Sequence, residues 1–529
     1  MFEIQAALWR AQGAAPLRVW QSHRWNPMSP LDDPAGGEPR LRMVMEQNAV
    51  RSDVLNLSNA SKRPSTVELR LRGLPAEPID LFEVPFVDTQ VFEPVASALV
   101  PLKSAGGTYR VTIPAGMTRQ VWFRCRSKNF EAGQHNGQVA ITLAGSRNTV
   151  ATVAVSAEVF PIRLPDRFSL QLGGWDYPDH RNYQVTDANV TPYVATLREY
   201  GVNVAWGSGA MPLGRYDGNG SLTSTPTRVE VDQWLAHWPN PSLYCNVAAF
   251  GSQHNPAKIV AWAQDWSRYL QSRGVPLEKM MFHIRDEPTT AEELEAILRF
   301  GRAVKQGEPR FRIFNNIHYA NPNQAPPVLQ QAMREACDVQ CFNVRYFLGD
   351  PQAHTAFIEE YRRPGLEWSC YTGNDDRLTD PYVSRLLRPW FCYAKGMTSA
   401  HWFAFCDGLG GFSWNEYFNH GPSRTPLYLA EDSVTTSKFM EAMREGAQDY
   451  ELLLLLRQEL ARRRGEPDEK VTRAQRILDA GVREVLSAHA LAMWEWRTPK
   501  DRSTADRVRG RILRTLCELY NGPKIQTRR

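Results

Sequence analysis

The stretch Met281-Phe282-His283-Ile284-Arg285-Asp286-Glu287-Pro288 runs from an apolar, alternating segment into two adjacent acids and a proline. A helix-forming stretch, Thr289–Phe300, follows at once. The pattern predicts a buried strand, a turn and a helix. Adjacent strand residues point to opposite faces, so both carboxyls meet one substrate only if the chain bends after Ile284. Pro288 biases Glu287 toward extended backbone, and that bias is expected to fix the bend. Two carboxyls where a strand runs out, just before a helix, are what an acid/base hydrolase on a β/α scaffold would show. The structural alternative is a solvated turn whose acids begin the next helix, where the dipole favours them.

Working outward, strand-like and helical segments alternate on both sides of this turn. The strands expected are Phe168–Leu172, Asn203–Trp206, Ser242–Ala248, Met280–Ile284, Phe311–Asn316, Val339–Phe342, Glu367–Tyr371 and Ala400–Phe405. Helices between them are expected at Val190–Tyr200, Ala257–Arg273, Ala291–Lys305, Val328–Ala336, Ala353–Arg362 and Tyr382–Ala394. Strands and helices in this number and order indicate a (β/α)8 TIM-like barrel over residues 164–432. A doubly wound sheet is the rival, but no Gly-x-Gly-x-x-Gly turn follows the first strand.

Residues 1–163 carry short alternating runs, such as Ser65–Arg72, Thr108–Ile113 and Arg119–Arg126, separated by turn residues. These indicate a β-sandwich, with Phe160–Asp166 and its two prolines as a linker. Residues 433–529 read as a C-terminal helical region, with Lys438–Leu453, Lys470–His489 and Thr504–Tyr520 at helical spacing and a frayed end at Gln526–Arg529. The sandwich is expected to pack on the barrel, with carbohydrate binding as its other reading.

Bulk composition narrows the partners. The chain has 529 residues, 62 basic against 57 acidic, and a net charge of +5. The basic residues are dispersed, which gives no nucleic-acid signature. No stretch approaches a membrane span. Met1–Gln5 lacks a basic region followed by an apolar core, so the expected compartment is the cytoplasm, or the periplasm or exterior if the start is trimmed. The eight Cys form no Cys-x-x-Cys pair and are expected to be buried free thiols. No metal and no cofactor is expected. Oligomeric state is not legible.

Barrel enzymes work at the C-terminal ends of their strands. Those ends offer Trp175 and Asp176; Trp206; Asp286 and Glu287; Asn316, His318 and Tyr319; Asn343, Arg345 and Tyr346; Tyr371 and Asn374; Trp402 and Asp407; and Trp414 on the loop beyond. Aromatics with amides and a few acids suit a sugar site. Two mechanisms compete. Double displacement needs a second carboxylate about 5–5.5 Å from the acid, and the candidates are Glu367 or Asp407. Glu367 starts its strand, at the wrong end of the barrel. Substrate assistance instead uses the carbonyl oxygen of a 2-acetamido sugar and needs two carboxyls near one ring.

With these residues in view, the chain resembles glycoside hydrolase family 123 and its uncharacterised relatives. The resemblance rests on Asp-Glu-Pro after the fourth strand, on Gly408–Trp414 after the eighth, and on Arg444-Glu445-Gly446-Ala447-Gln448-Asp449-Tyr450-Glu451. It extends to the preceding sandwich. It implies a metal-independent, retaining exo-β-N-acetylgalactosaminidase acting by substrate assistance, with Asp286 as the orienting carboxylate and Glu287 as acid/base. It also implies an aromatic hydroxyl near the acetamido oxygen, for which Tyr319 and Tyr371 both stand. Trp175, His318, Asn343, Trp402 and Trp414 complete the expected substrate contacts. The alternatives are a glycosidase on sugars without an acetamido group and a non-catalytic carbohydrate-binding protein.

Overall fold

The computed structural model describes residues 1–34, 36–74, 79–146, 148–175, 184–248, 250, 255–373, 375–406, 413–417, 421–465 and 468–520. Eight parallel strands form its centre: β1 (Gln171–Gly174), β2 (Val204–Ser208), β3 (Leu243–Val247), β4 (Met280–His283), β5 (Arg312–Asn315), β6 (Val339–Asn343), β7 (Glu367–Thr372) and β8 (Ser399–Trp402). From β2 to β8 each strand pairs with the next in sequence, and β8 returns to β1. The remaining seam, between β1 and β2, is bridged by Asn203. Its backbone N–H donates to Leu172 O at 3.0 Å, and its side-chain oxygen accepts from Leu172 N at 2.8 Å. The result is a nearly closed (β/α)8 barrel.

Strand alternation divides the side chains into two cores. Val204, Trp206, Leu243, Cys245, Met281, Phe314, Val339, Cys341 and Tyr371 fill the interior, with Trp175 above them. Their strand neighbours Ala205, Tyr244, Phe282, Phe342, Cys370 and Ala400 face the surrounding helices. Both faces are covered, so the strands read as near-continuous apolar runs. The first expected strand begins too early. The observed strand is Gln171–Gly174, and Gly173 is there because a Cβ would lie 2.9 Å from both His401 Nδ1 and Val204 Cβ.

The N-terminal residues form two packed sheets. One runs, in spatial order, Leu17–Trp20, Val50–Asn59, Thr118–Arg126, Ile79–Val84, Ala98–Pro101, Val434–Ser437 and Tyr428–Leu429. The other runs Arg40–Gln47, Thr149–Arg163, Gly133–Leu143, Ser65–Arg72 and Thr108–Ile113. Leu41, Met43, Leu55, Leu57, Val121 and Phe123 belong to the core between them. Val54, Phe82, Val84 and Trp122 alternate onto the opposite face and join the barrel's outer core, so the sandwich packs on the barrel.

Three details depart from the sequence reading. Phe160–Arg163 is not linker but the end of a long strand, with Ile162 and Leu164 buried. Phe2–Ala11 is a helix, burying Ala6 and Trp9. Val434–Ser437, expected within a helical region, is a strand that pairs with Ala98–Leu99 and ties the C-terminal part to the sandwich.

The Arg444–Glu451 stretch lies in the helix Lys438–Arg462 and is buried along its length. Its charges weld three parts of the chain. Glu445 pairs with Arg24 at 2.7 Å, and Asp449 pairs with Arg51 at 2.6 Å, both partners on the sandwich. Arg444 pairs with Glu441. Asp449 also accepts from Trp390 Nε1 at 3.0 Å, and Glu451 accepts from Ser169 N at 2.6 Å, just ahead of β1. A Cβ on Gly446 would stand 2.5 Å from Leu386 O, so only glycine permits that helix contact. The stretch is structural, and its remoteness from the barrel mouth follows from these partners. All eight cysteines are free thiols, seven of them buried. No helix among the described residues is long and apolar enough to cross a membrane.

Candidate active site at the barrel mouth

A cavity of about 280 Å³ opens at the C-terminal ends of the strands, where Trp175, Asp286, Glu287, His318, Asn343, Arg345, Tyr371, Gly373, Phe403 and Arg424 line it. Trp175 forms its floor. The ring is 4 % exposed and packs on Trp206 at 4.5 Å and Tyr371 at 5.4 Å between centroids.

Asp286 and Glu287 both face this space, and the bend that allows it is made differently from the sequence expectation. Glu287 is not extended ahead of Pro288; its φ is +43°. A non-glycine residue in that region costs on the order of 1–3 kcal/mol and persists only where its surroundings hold it. The surroundings do so here. Glu287 N donates to Asn316 Oδ1 at 3.2 Å. Arg285 pairs with Glu293 at 2.6 Å, and Thr289 N donates to the same carboxylate at 2.8 Å. Thr290 and Glu293 also form a capping box that starts the helix Ala291–Gly307. The Thr289 N–H bond and then Arg285 hold the Glu293 carboxyl down to about 2.

Asn316 sets the orientation of the first acid. Its Nδ2 donates to Asp286 Oδ1 at 2.8 Å, which leaves its Oδ1 to accept from His283 Nε2 at 2.8 Å. His283 is buried at the end of β4, and burial lowers its pKa even against the pull of Asp286. A neutral imidazole with its proton on Nε2 fits this chain of bonds.

Glu287 is held from the other side. Tyr371, from β7, donates to Glu287 Oε1 at 2.5 Å. His318 Nδ1 lies 3.2 Å from both that oxygen and the Tyr371 hydroxyl. Tyr346 meets His318 Nε2 at 2.7 Å. Burial, and then the bond to Glu287, raise the Tyr371 pKa far above the ordinary phenol value, so the hydroxyl stays a donor.

Of the nine expected site residues, six line the cavity: Asp286, Glu287, Trp175, His318, Asn343 and Tyr371. Three do not. Tyr319 packs against the outer core. Trp402 is fully buried under the helices, with Arg385 and Arg388 about 5 Å over its ring at 4.8 and 4.9 Å. Trp414 packs at a tilt on Tyr428, 4.7 Å between centroids, beside the sandwich. Strand parity explains Trp402: His401 occupies the inward position of β8, and Phe403, next in phase, reaches the cavity. Trp206 is likewise interior core. Glu367 lies at the far end of the barrel, paired with Arg312 at 2.8 Å. Asp176, Asn374, Asp407 and Gly408–Phe412 lie outside the described residues. Phe403, Gly373 and Arg424 are lining residues that the sequence does not single out, because the run His401-Trp402-Phe403 hides which of its members point inward.

No protein-family model matches the chain, and no curated protein matches it. Among solved structures it is similar to a family 123 glycoside hydrolase from Clostridium perfringens, studied for glycolipid glycan hydrolysis. The TM-score is 0.69 at 12% identity, over 95% of this chain and 99% of that one. A Bacteroides ovatus GH5 xyloglucanase matches at TM-score 0.33 and 8% identity, over 82% of this chain and 100% of that one. The fold, sandwich and barrel and helices together, is therefore that of a family 123 glycoside hydrolase.

Proposed function

We propose that the protein is a retaining exo-glycoside hydrolase that removes a terminal β-linked N-acetylhexosamine, GalNAc foremost, by substrate assistance. The observation that carries this reading is the carboxylate inventory of the cavity. Among its described lining residues the only acids are the adjacent pair Asp286 and Glu287. Double displacement calls for a nucleophile from a second strand end. Substrate assistance calls for two acids beside one ring, which is what a single bent strand end supplies. The shared fold with a family 123 enzyme supports a glycosidase of this kind.

In this mechanism Asp286, fixed by Asn316, accepts the acetamido N–H and orients the carbonyl oxygen toward the anomeric carbon. That oxygen attacks as the bond to the leaving group breaks, and Glu287 gives its proton to the departing oxygen. Asp286 then faces the positive charge of the cyclic oxazolinium intermediate. Water, deprotonated by Glu287, opens the intermediate with a second inversion, so the product keeps its anomeric configuration. Trp175 presents an apolar face beneath the ring.

The stereochemistry tests it. Proton NMR of an early reaction on a β-GalNAc glycoside should show the β anomer of the free sugar first, before mutarotation. The α anomer first would overturn a retaining mechanism.

A further inference from the structure

The cavity holds a guanidinium that the mechanism above does not use. Arg424 lines it and lies over the Phe403 ring at 5.6 Å. It meets no carboxylate among the described residues. Arg345, on the helix that follows β6, lines the same space, with its guanidinium over the Trp494 ring at 4.8 Å. The strand order sets where these charges stand. Asp286 and Glu287 follow β4, while Phe403 follows β8, four strands away around the ring. The mouth is therefore polarised, with acids on one wall and Arg424 beside Phe403 on the opposite wall.

A guanidinium carries five N–H donors in a planar fork and no acceptor. A neutral sugar hydroxyl fills one such donor and then needs an acceptor for its own proton. An oxyanion, with acceptors only, fills two at once and gains the stronger charge-assisted geometry. A ring whose anomeric end sits at Asp286 and Glu287 turns its far edge toward the β8 wall.

We infer that the cavity selects a terminal sugar bearing an anionic group, a sulfate ester or a carboxylate, on the edge remote from the scissile bond, with Arg424 as the residue that reads it. This rests on the proposed sugar-binding role of the same cavity.

Calorimetric titration of the full chain with free sugars tests it without turnover. The probes are N-acetylgalactosamine, its 4-sulfate, its 6-sulfate, the corresponding uronic acid, and galactose 6-sulfate. At least one anionic acetamido sugar should bind about tenfold or more tightly than the neutral one, and which one does so separates sulfate from carboxylate. Arg424→Gln should remove that preference, so that neutral and anionic sugars bind the variant with Kd values within about twofold of each other, and an unaltered urea midpoint reports an intact fold. Arg424→Lys, keeping charge without the fork, should retain part of it. Equal affinity for neutral and anionic sugars overturns the inference, as does a preference that survives Arg424→Gln. If galactose 6-sulfate binds as well as its acetamido counterpart, the anion contact stands and the acetamido reading falls. Binding of none of them at millimolar concentration overturns both.

Discussion

The Tyr371 hydroxyl reaches from β7 to the acid pair after β4 and donates to Glu287 Oε1 at 2.5 Å. The contact joins the residue proposed as acid/base to the tyrosine that the floor residue Trp175 packs against. It holds the carboxyl of a residue whose backbone is already in an unfavourable conformation. Tyr371→Phe removes the donor and leaves the ring. A charge-assisted bond of this kind is worth about 1.5–3 kcal/mol, so kcat on a GalNAc glycoside should fall by roughly 10–100-fold. KM should change much less. Unaltered kcat would remove the contact from the mechanism.

The Asp286 relay gives a different signature. Asn316→Ala takes away both the bond to Asp286 and the acceptor for the Glu287 N–H. Turnover of acetamido substrates should drop by at least about tenfold, on the scale of one positioned hydrogen bond. Asn316→Asp, which sets a like charge beside Asp286, should be at least as damaging. Steady-state kinetics on both variants decides this, and a silent Asn316→Ala would mean that Asp286 needs no orientation.

Glu293 lies outside the cavity, yet it clamps the bend through Arg285, Thr289 and Thr290. Glu293→Ala loses a helix cap and should cost about 1 kcal/mol of stability. It should also lower kcat, because the strained φ at Glu287 loses a support. Urea unfolding and kinetics on one preparation test both effects. A loss of stability with full activity would show that Asn316 alone holds the bend.

The buried weld around Asp449 should behave as structure only. Asp449→Ala removes the shortest ion pair of Arg51, leaving it the longer contacts to Glu445 and Glu46, and leaves Trp390 Nε1 without its acceptor. Breaking a buried pair from one side costs about 3–5 kcal/mol. The denaturation midpoint should fall sharply, while kcat of the folded fraction stays near that of the parent. A selective loss of catalysis would give this stretch a role the fold does not suggest.

Stability should fall on the acid side of neutrality. Burial holds His401 and His489 down to about 3, so below their ordinary 6.5 the unfolded chain takes up protons that the folded chain refuses. The loss develops as pH drops from 6.5 toward 3. Asp53 and Asp449, raised to about 6 by burial, act in the opposite sense between 6 and 3.8. His489→Leu, outside the cavity lining and set between Phe391 and Trp494, isolates one contribution. Its urea midpoint should decline less between pH 7 and pH 4.5 than that of the parent chain. An identical decline would show that His489 protonates inside the fold.

Much of the frame was legible from the residues. All eight barrel strands were placed, because runs such as Met280–Ile284 are apolar on both faces and bounded by turns. The acid pair, His318, Asn343 and Tyr371 followed from strand ends. What escaped depended on parity and backbone. In Ser399-Ala400-His401-Trp402-Phe403 both alternating sets are apolar or aromatic, so the pattern does not say that His401 points in and Trp402 out. At Glu287 the local preference of a residue before proline points to extended backbone, and tertiary hydrogen bonds override it. Val434–Ser437 is too short to announce a strand; only its partner Ala98–Leu99 makes it one. Arg424 follows the last strand by some twenty residues, and no local pattern ties it to the mouth.

The most direct measurement is release of nitrophenol from matched 4-nitrophenyl β-N-acetylgalactosaminide and β-galactoside, by the parent chain and by Glu287→Gln. Cleavage confined to the acetamido glycoside and lowered at least about 100-fold in Glu287→Gln is the expected result. Comparable kcat/KM on the plain galactoside, or full activity in Glu287→Gln, would contradict substrate assistance at Asp286 and Glu287.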